Sequence, residues 1–592
     1  MLVVQTIKSF QFLNKVFLLL LFFQYPLFSE DIFQIALNKN LQKSNIWQGL
    51  LHLDKSQKPS INNQKFLYSY PNFSPKKELI QNIQQILENQ NQFACQFPAR
   101  YLFLATELNL NTEINISNCK GLELYFKNTD MKDLELVFVS EDVSSPSSMM
   151  GHTFFKIIGK NNKTHGVSFF TEINTFNIPL LVVQSLFTGM KGFFGLSPYR
   201  KQLNMYIENR NIWEYKLNLS KYYKTLIYYH FWELKDKDIE YLFTGFNCGT
   251  IINDMFSITS STYRNNQNLW ITPKDVIKNL KKNNLIVSSK LIPSKIWKMK
   301  MFIDALGINK VNYLVKHLKQ KITFSTDKKI ANLEKRFLLF YIGSLYSEKK
   351  ISYKIAVELY QKFQNIEIFD TDLDISKYKN PINSHNDSQL SFTVSDKNFV
   401  QIEFLPASNT IFDDNREYFS ETSLKLGKVA FKIDKDKLSL ESLDLLSMKS
   451  LVPWDSLTKN ISKEFHLNYE QHFDENLKEF GAFNLSFGLG GTKKLGNDIY
   501  LFSLFHGGIS HHSQNISPYY YPEFGFMIYE LWHMKTVFNY KYIVNVDYSY
   551  SDFDIVHSIF IKKGFRIGFN YNLKLNSNLH RESFNFSLNF YL

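Results

Sequence analysis

Residues from about 388 to 592 alternate apolar and polar side chains, and this period of two limits the fold more than any other feature. In the segment 565–575 every second residue is aromatic or aliphatic, and 542–550, 483–489 and 584–592 repeat the pattern. A β-strand exposes alternate residues on opposite faces. About ten to twelve such segments can be counted, which predicts an antiparallel β-barrel over 388–592.

Strands of this kind, aromatic on one face, suit an outer-membrane barrel, in which every backbone group must find a partner. The aromatic share of 16% supplies that face. Alternation does not show which face meets lipid, so a soluble β-sandwich or soluble barrel stays open. We expect His506, His511 and His512 in a loop of this domain, as exposed side chains rather than a metal site.

The N-terminus has the plan of a secretory signal peptide. Lys8 and Lys15 precede the apolar run 16–23, and Ser29 offers a small residue for cleavage. The apolar run is too short to span a bilayer as a helix. We therefore expect an exported chain, with residues 1–29 removed.

The distribution of charge limits the kinds of partner that the protein can bind. The formal net charge is +13, but the lysines are dispersed among asparagines without an aromatic-interleaved basic stripe, so no nucleic-acid partner is expected. A contact with anionic lipid headgroups remains an alternative to a merely solvated surface. We predict no cofactor and no metal.

Three cysteines in an exported chain leave one unpaired if two of them bond. Cys95 and Cys119 lie close in sequence, and a disulfide between them would contribute roughly 3 kcal/mol on the chain-entropy estimate. Cys248 is then the free thiol.

The free thiol lies in the stretch 246–250, which reads as a turn delivering Cys248 to the first turn of a short apolar helix. Unpaired N–H groups and the helix dipole favour a thiolate there, so a lowered pKa and a nucleophile are predicted. The alternative is a small apolar residue that packs the helix start.

A second stretch, 144–158, passes from polar residues through Gly151 to His152, which opens a β-branched and aromatic strand. A histidine at a strand end can take the thiol proton and return it to a leaving group. We predict that His152 and Cys248 form a catalytic pair within hydrogen-bonding reach. Possible supporting residues are Asn247, Ser148, His165 and Ser168.

The run 187–196 is apolar and interrupted by three glycines, which predicts neither a good helix nor a good strand. We interpret it as a mobile apolar loop beside the site, or else as an irregular core segment. The residues predicted to contact an acyl chain or a membrane are Phe187, Phe193, Phe194 and Leu196.

Five motifs, in 147–153, 191–195, 210–217, 230–234 and 247–248, resemble the Lnb N-terminal periplasmic domain family. The motif 95–101 resembles the domain that precedes it in those proteins. The resemblance implies a periplasm-facing lipoprotein N-acyltransferase with Cys248 as nucleophile and His152 as base. It also implies a circularly permuted papain-like (NlpC-type) thiol domain. The chain departs from its relatives at Gly249, commonly serine, and at Asn211, commonly acidic.

The expected fold class is α+β, in five parts. These are a signal peptide (1–29), a mixed and helical N-terminal domain with the disulfide (30–130), the Cys–His domain (131–290), a helical hairpin and linker (291–387) and the barrel (388–592).

Three function classes follow. The first is a cysteine-dependent acyltransferase that acts at the outer membrane on a membrane lipid or lipoprotein. The second is a thiol amidase or peptidase acting on cell-wall peptide, and the third is a non-enzymatic outer-membrane protein. The apolar run 187–196 favours the first over the second.

Overall fold

The computed structural model describes residues 32–142, 150–171, 180, 184, 188–242, 245–265, 270–319, 332–362, 379–407, 409–496, 498–513 and 515–592. The predicted signal peptide therefore lies outside the described residues. The N-terminal part is helical. Its helices are α1 (Asn45–Leu50), α2 (Pro75–Gln96), α3 (Pro98–Glu107) and α4 (Lys120–Thr129), with 3-10 turns at Leu41–Lys43 and Ile116–Asn118.

A seven-stranded antiparallel sheet follows, in the order β6-β4-β3-β2-β1-β5-β7. Its strands are β1 (Met131–Val139), β2 (His152–Gly159), β3 (Thr164–Thr171), β4 (Met190–Pro198), β5 (Ile212–Leu217), β6 (Ile239–Tyr241) and β7 (Ile286–Ile292). The helices between them are α5 (Tyr199–Tyr206), α6 (Lys221–Leu234), α7 (Cys248–Ser257), α8 (Ser261–Asn265) and α9 (Pro273–Lys282). The strand predicted to begin at His152 and the helix at Cys248 are confirmed.

The glycine-rich run was wrongly interpreted as an irregular loop, because residues 190–198 form strand β4. Its glycines serve close packing rather than flexibility. A Cβ on Gly192 would lie 2.5 Å from the Phe169 ring, and one on Gly195 would lie 2.7 Å from the Phe170 ring. The two aromatic rings of β3 thus lie across glycines of its neighbour.

The N-terminal helices and the sheet share one hydrophobic core, to which α6 contributes Leu226, Ile227 and Phe231. The disulfide between Cys95 and Cys119 is confirmed, with the Cα atoms 5.4 Å apart, and Cys248 is free and buried. The crosslink ties the end of α2 to the start of α4 at the edge of this core.

The connector is larger than the predicted hairpin. It contains α10 (Lys295–Leu306), α11 (Ile308–Lys319), α12 (Asn332–Ser347) and α13 (Tyr353–Gln361), which pack around a core of their own. No helix in the described part of the chain is both long and apolar enough to cross a bilayer. The predicted linker is described only from residue 379, where a 3-10 turn at Pro381–Asn383 leads to the buried His385 and Asp387. That end of the linker is therefore a packed interface.

The C-terminal part is a closed antiparallel barrel of twelve strands. They are β8 (Gln389–Ser395), β9 (Phe399–Leu405), β10 (Glu421–Asp434), β11 (Lys437–Leu451), β12 (Ser462–Phe473), β13 (Glu479–Leu495), β14 (Ile499–His512), β15 (Asn515–Glu530), β16 (Met534–Asn545), β17 (Ser549–Lys562), β18 (Phe565–Leu575) and β19 (His580–Tyr591). Closure joins β19 to β8 and β9 to β10. The predicted barrel is confirmed.

The two faces of the barrel differ as lipid and water require. Phe483, Leu485 and Phe487 point outward with 51%, 43% and 50% of their surface exposed. The lumen is polar, and the ammonium of Lys449 on β11 reaches Glu523 on β15 across it, at 2.6 Å. An apolar outside around a charged inside is the pattern of a membrane barrel, not of a soluble one.

One expectation about this domain is wrong: His506, His511 and His512 lie within strand β14, not in a loop. His506 points into the lumen and is fully buried, whereas His511 and His512 lie exposed at the far end of the strand. The alternation continues through these polar residues, so the strand extends further than its apolar positions suggested.

The barrel end that faces the α/β body is closed around one carboxylate. Asp413, in the loop between β9 and β10, is fully buried and lies 3.0 Å from Arg566. It also accepts hydrogen bonds from Tyr591 (2.7 Å) and Gln389 (2.8 Å), which belong to the last and the first strand. This single group holds the seam between the two ends of the sheet.

We expect the full-length protein to show a heat-modifiable shift on gels, because a closed barrel stays folded in detergent until its whole hydrogen-bonded ladder melts. Boiled and unboiled samples should migrate differently, and the protein should fractionate with outer membranes. Identical migration and recovery in the soluble fraction would contradict the membrane barrel.

Asp413→Asn should lower the temperature of that shift markedly. The change leaves Arg566 as a buried charge without its carboxylate, which costs about 3–5 kcal/mol in comparable buried pairs. Asp414→Asn is the matched control, since its partner Arg416 is 36% exposed and water can replace the carboxylate. Equal shifts in the two variants would exclude a special role for Asp413.

Candidate functional site

Cys248 is the first residue of α7, and Asn247 caps that helix. The Asn247 side chain accepts hydrogen bonds from the N–H groups of Gly249 (2.7 Å) and Thr250 (3.0 Å). Its amide nitrogen donates to the carbonyl of Ile271 at 3.0 Å. Asn247 therefore fixes the helix start to the segment before α9, and its effect on the thiol is positional.

The thiol lies among hydrogen-bond donors but away from water. The N–H groups of Thr153 and Gly249 and the Tyr241 hydroxyl interact with the sulfur and favour its ionised form, as does the charge of Arg210. Burial outweighs them and raises the pKa of Cys248 above its ordinary value. The predicted lowering is therefore wrong for this state, because only 5% of the residue is exposed.

His152 begins β2, opposite Val139 of β1. Its ring lies near those of Phe154 and Tyr206, with centroids 5.7 and 6.1 Å away. Burial, together with the positive charge of Arg210, lowers the pKa of His152 to about 3. The imidazole is therefore neutral at neutral pH, and in this state it is a weaker base than an ordinary histidine.

The structure does not bring the two predicted catalytic side chains into direct contact. Among the described residues, no hydrogen bond joins the His152 ring to the Cys248 thiol. His152 and Phe154 lie on the sheet face that α5 covers, whereas Phe155 packs against Phe256 of α7 on the other face. The residue nearest the sulfur on β2 is Thr153, through its backbone.

Arg210 connects the two halves of the site. Its guanidinium donates to the carbonyls of Ser140 (2.7 Å) and Val139 (3.3 Å) and lies 5.0 Å from the Tyr206 ring. Its charge acts on both His152 and Cys248. The sequence placed Arg210 only within a motif and assigned no role to Tyr206 or Tyr241. The signal available in the sequence was the position of Arg210, two residues before strand β5.

The other predicted supporting residues lie further from the sulfur. His165 pairs with Ile157 near the far end of β2, and Ser168 pairs with Gly195 of β4. In the described part of the chain neither side chain hydrogen-bonds to His152. Ser148 and Phe187 lie outside the described residues, so their predicted roles stay predictions.

One of the predicted acyl-contact residues approaches the site through a series of aromatic rings. Phe194 packs against Phe169 (5.4 Å between centroids), and Phe169 packs against Tyr241 (5.3 Å), whose hydroxyl interacts with the thiol. Phe193 lies on the opposite face beside Phe170, and Leu196 is 42% exposed. Phe194 is the member of the predicted set that borders the thiol's surroundings.

Both departures from the resembling family have a local structural reason. A Cβ on Gly249 would lie 3.0 Å from backbone atoms of Thr272 and Pro273, so the residue after the cysteine is tightly packed. Asn211 is fully buried and accepts a hydrogen bond from the Ser294 N–H at 2.9 Å, which anchors the start of α10. At Gly249 only the backbone N–H interacts with the thiol.

The site adjoins the outer wall of the barrel. Met150, two residues before His152, and Trp270, next to the Ile271 carbonyl that holds Asn247, pack against four leucine and methionine side chains of the barrel. These are Leu424, Leu426, Leu446 and Met448. Their strand neighbours Lys425 and Lys449 face the lumen, so these four apolar side chains point outward. Residues that flank the site thus pack on the outer wall of the barrel.

A buried polar chain links the N-terminal helices to the sheet domain. His52 Nε2 lies 2.9 Å from His230 Nε2, and His230 Nδ1 lies 2.7 Å from Glu233. Glu233 also accepts the N–H groups of Ala99 and Arg100 at the start of α3. Sequence reasoning missed this chain, although all its members except His52 fall in the motifs 95–101 and 230–234.

One group of side chains has the composition of a metal site. Ligand atoms of Glu464, His506 and Glu523 lie within 4.8 Å of one another in the barrel lumen. The Lys449 ammonium lies 2.9 Å from Glu464 and 2.6 Å from Glu523. A lysine already neutralises these carboxylates, which makes them poor ligands for a cation.

Comparisons with known families agree with this division of the chain. The Lnb N-terminal periplasmic domain matches residues 122–283. Two domains of unknown function, DUF7843 and DUF7840, match residues 39–107 and 378–591. No curated protein matches the chain.

Solved structures similar to the chain include outer-membrane proteins. The KdgM porin has 9% identity and a TM-score of 0.24, over 35% of this chain and 98% of that one. The NanC porin has 7% identity and a TM-score of 0.23, over 35% and 100%. A loop-deletion mutant of OmpT from Vibrio cholerae has 9% identity and a TM-score of 0.20, over 35% and 97%.

The rate at which a small reagent alkylates Cys248 should keep rising with pH beyond about 8.5, where an ordinary thiol is half ionised. Burial raises the thiol pKa, so the reactive thiolate forms only at higher pH. Arg210→Gln should move the profile further upward, since the cation stabilises the thiolate. The control Arg200→Gln, at an exposed position of α5, should leave it unchanged. A plateau below neutral pH would contradict this assignment.

Proposed function

Residues 122–283 form an Lnb N-terminal periplasmic domain ahead of an outer-membrane-type barrel, and from this premise we propose a cysteine-dependent acyltransferase. The protein is an exported outer-membrane protein with its α/β domain in the periplasm. The proposed substrates are acyl groups of a membrane lipid or lipoprotein, with Cys248 as nucleophile and His152 as base.

The observation that carries the proposal is that residues flanking the free thiol pack on the barrel's outer wall. Met150 and Trp270 flank the site and cover outward-facing leucines and methionines of β10 and β11. An acyl chain in the periplasmic leaflet lies at this wall, whereas soluble cell-wall peptide has no reason to be guided there. The location therefore favours acyl transfer over amide hydrolysis.

The proposed reaction has two steps. The Cys248 sulfur attacks the carbonyl carbon of an ester while His152 takes the thiol proton, and the alcohol leaves with that proton, so a thioester remains. An amine then attacks the thioester, gives up a proton through His152 and releases the thiol. The Thr153 and Gly249 N–H groups, the Tyr241 hydroxyl and the Arg210 charge act on the sulfur and would stabilise the attacking thiolate.

The proposed fold of the catalytic domain is a circularly permuted papain-like arrangement. Strand β2 with His152 precedes helix α7 with Cys248 in the chain, and α7 packs on a sheet whose next strand, β3, pairs antiparallel with β2. A histidine at a strand start that precedes a cysteine at a helix start, with both in the field of Arg210, supports this assignment.

The catalytic contact has to form when substrate binds. Hydrogen bonds of catalytic groups are often long in free enzymes and tighten in the complex. Both side chains lie within reach of the Arg210 charge and of Tyr206, so a local change at the start of β2 is what the proposal requires. The buried neutral thiol favours the alternative, a periplasmic domain without catalysis, if no such change occurs.

Incubation of the full-length protein with vesicles of phosphatidylethanolamine and phosphatidylglycerol should add the mass of one acyl chain to Cys248. His152→Gln should slow this addition by roughly a hundredfold, the usual lower range for loss of a general base. His165→Gln is the matched control on the next strand and should retain the wild-type rate.

Cys248→Ala should carry no adduct, and its gel shift on heating should match the wild type. A peptide-derived adduct instead of an acyl mass would favour the amidase. No adduct on any variant, with all of them folded, would favour the non-enzymatic protein.

A further inference from the structure

The outer wall of the barrel contains a groove about 540 Å³ in volume, at the end nearest the α/β body. It crosses strands β13 to β16, and the surface that lines it is almost all apolar. We propose that this groove holds one acyl chain of a phospholipid from the periplasmic leaflet. The site is separate from the thiol, and the proposal does not depend on the acyltransferase.

The groove exists because two small residues are neighbours on an outer face of large ones. Gly491 and Ser503 are direct partners in adjacent strands, and both point outward. In the row above them Leu489 pairs with Phe505, and in the row below Lys493 pairs with Leu501. A Cβ on Gly491 would meet nothing within 4 Å, so this floor is open space rather than a tight packing site.

Aromatic side chains form the walls. Phe524 and Phe526 stand beside the floor on β15, and Phe526 stacks on Phe538 at 5.4 Å between centroids. Trp454 lies at the rim, where its backbone N–H donates to the Thr492 carbonyl at 2.7 Å. The indole is 56% exposed although it borders an apolar groove. These rings give a flexible hydrocarbon chain contact on several sides.

The position of the groove identifies the occupant. It opens on the outward-facing side of the barrel, where the surrounding medium is lipid hydrocarbon rather than water. Its polar end has Lys493, an exposed outward-facing ammonium near the turn that faces the periplasm. Tryptophan and lysine are typical of the depth at which lipid headgroups begin. A phospholipid with one acyl chain in the groove and its phosphate near Lys493 matches both the apolar and the charged end of the groove.

The size is also suitable. Sites for small molecules in proteins are generally clefts of about 300–1,000 Å³ with mostly apolar walls and few polar groups. When an acyl chain fills such a groove, it exchanges loose contacts with other lipids for close contacts with the groove. It is then held at one defined place on the barrel. An ordinary boundary lipid, by contrast, would sample the whole outer face evenly.

The test uses the full-length protein in nanodiscs of phosphatidylethanolamine and phosphatidylglycerol. A trace of phosphatidylethanolamine with a photoreactive group in its acyl chain is irradiated, and the modified peptides are mapped by mass spectrometry. We expect labelling concentrated on peptides with Trp454, Phe524 or Phe526. Gly491→Phe should reduce it roughly tenfold, which corresponds to about 1.4 kcal/mol of lost preference.

Gly507→Phe is the matched control, because Gly507 also points outward from this sheet with nothing within 4 Å of an added Cβ. That variant should label like the wild type. Ser503→Leu provides a second way to fill the floor if Gly491→Phe fails to show the heat-dependent gel shift.

Three further outcomes decide the proposal. Lys493→Gln should weaken labelling by the phospholipid but not by a diacylglycerol with the same photoreactive chain, which lacks a phosphate. Equal labelling of the groove and of the remaining outer face in all variants would mean boundary lipid only and would overturn the proposal. Preferential labelling by a photoreactive lipopeptide over the phospholipid would also overturn it.

Discussion

Closure of the barrel is the constraint on which the rest of the structure depends. A strand in hydrocarbon has no water to satisfy its backbone, so each of the twelve strands needs partners on both edges. The pairing that closes the ring, β19 with β8, returns the C-terminus to the beginning of the barrel. Asp413 lies at this seam and pairs with Arg566, and the α/β body is attached at the same end.

That attachment combines a polar and an apolar contact. Lys274 of α9 is buried and forms ion pairs with Asp387 (2.5 Å) and Glu141 (3.1 Å). These pairs connect the segment before the barrel with α9 and with the residues that follow β1. Met150 and Trp270 cover outward leucines and methionines nearby. Buried ion pairs cost desolvation and favour one geometry over others. The result is a site whose flanking residues are held at a fixed place on the barrel wall.

The sequence was sufficient to predict the elements with strong periodicity. The predictions failed where contacts between distant segments determine the local structure. Period-two alternation was sufficient for the barrel, and turn chemistry was sufficient for α7 and the start of β2. The run 190–198 was misjudged because glycine in a strand looks like a break until the rings that lie across it, Phe169 and Phe170, are known. The buried chain from His52 to Glu233 joins residues far apart in sequence, so no local pattern could reveal it.

The protonation states of Cys248 and His152 are also set by residues that are distant in sequence. A helix start and nearby donors were expected to ionise Cys248, but burial by β2, β6 and α9 outweighs a few hydrogen bonds. Arg210 favours the thiolate and disfavours an imidazolium at His152, so the resting site holds both groups neutral. A neutral pair beside lipid resists stray oxidation and alkylation, because the thiolate is the reactive species. Ionisation then has to accompany binding, when a substrate carbonyl offers the developing charge a place among the same donors.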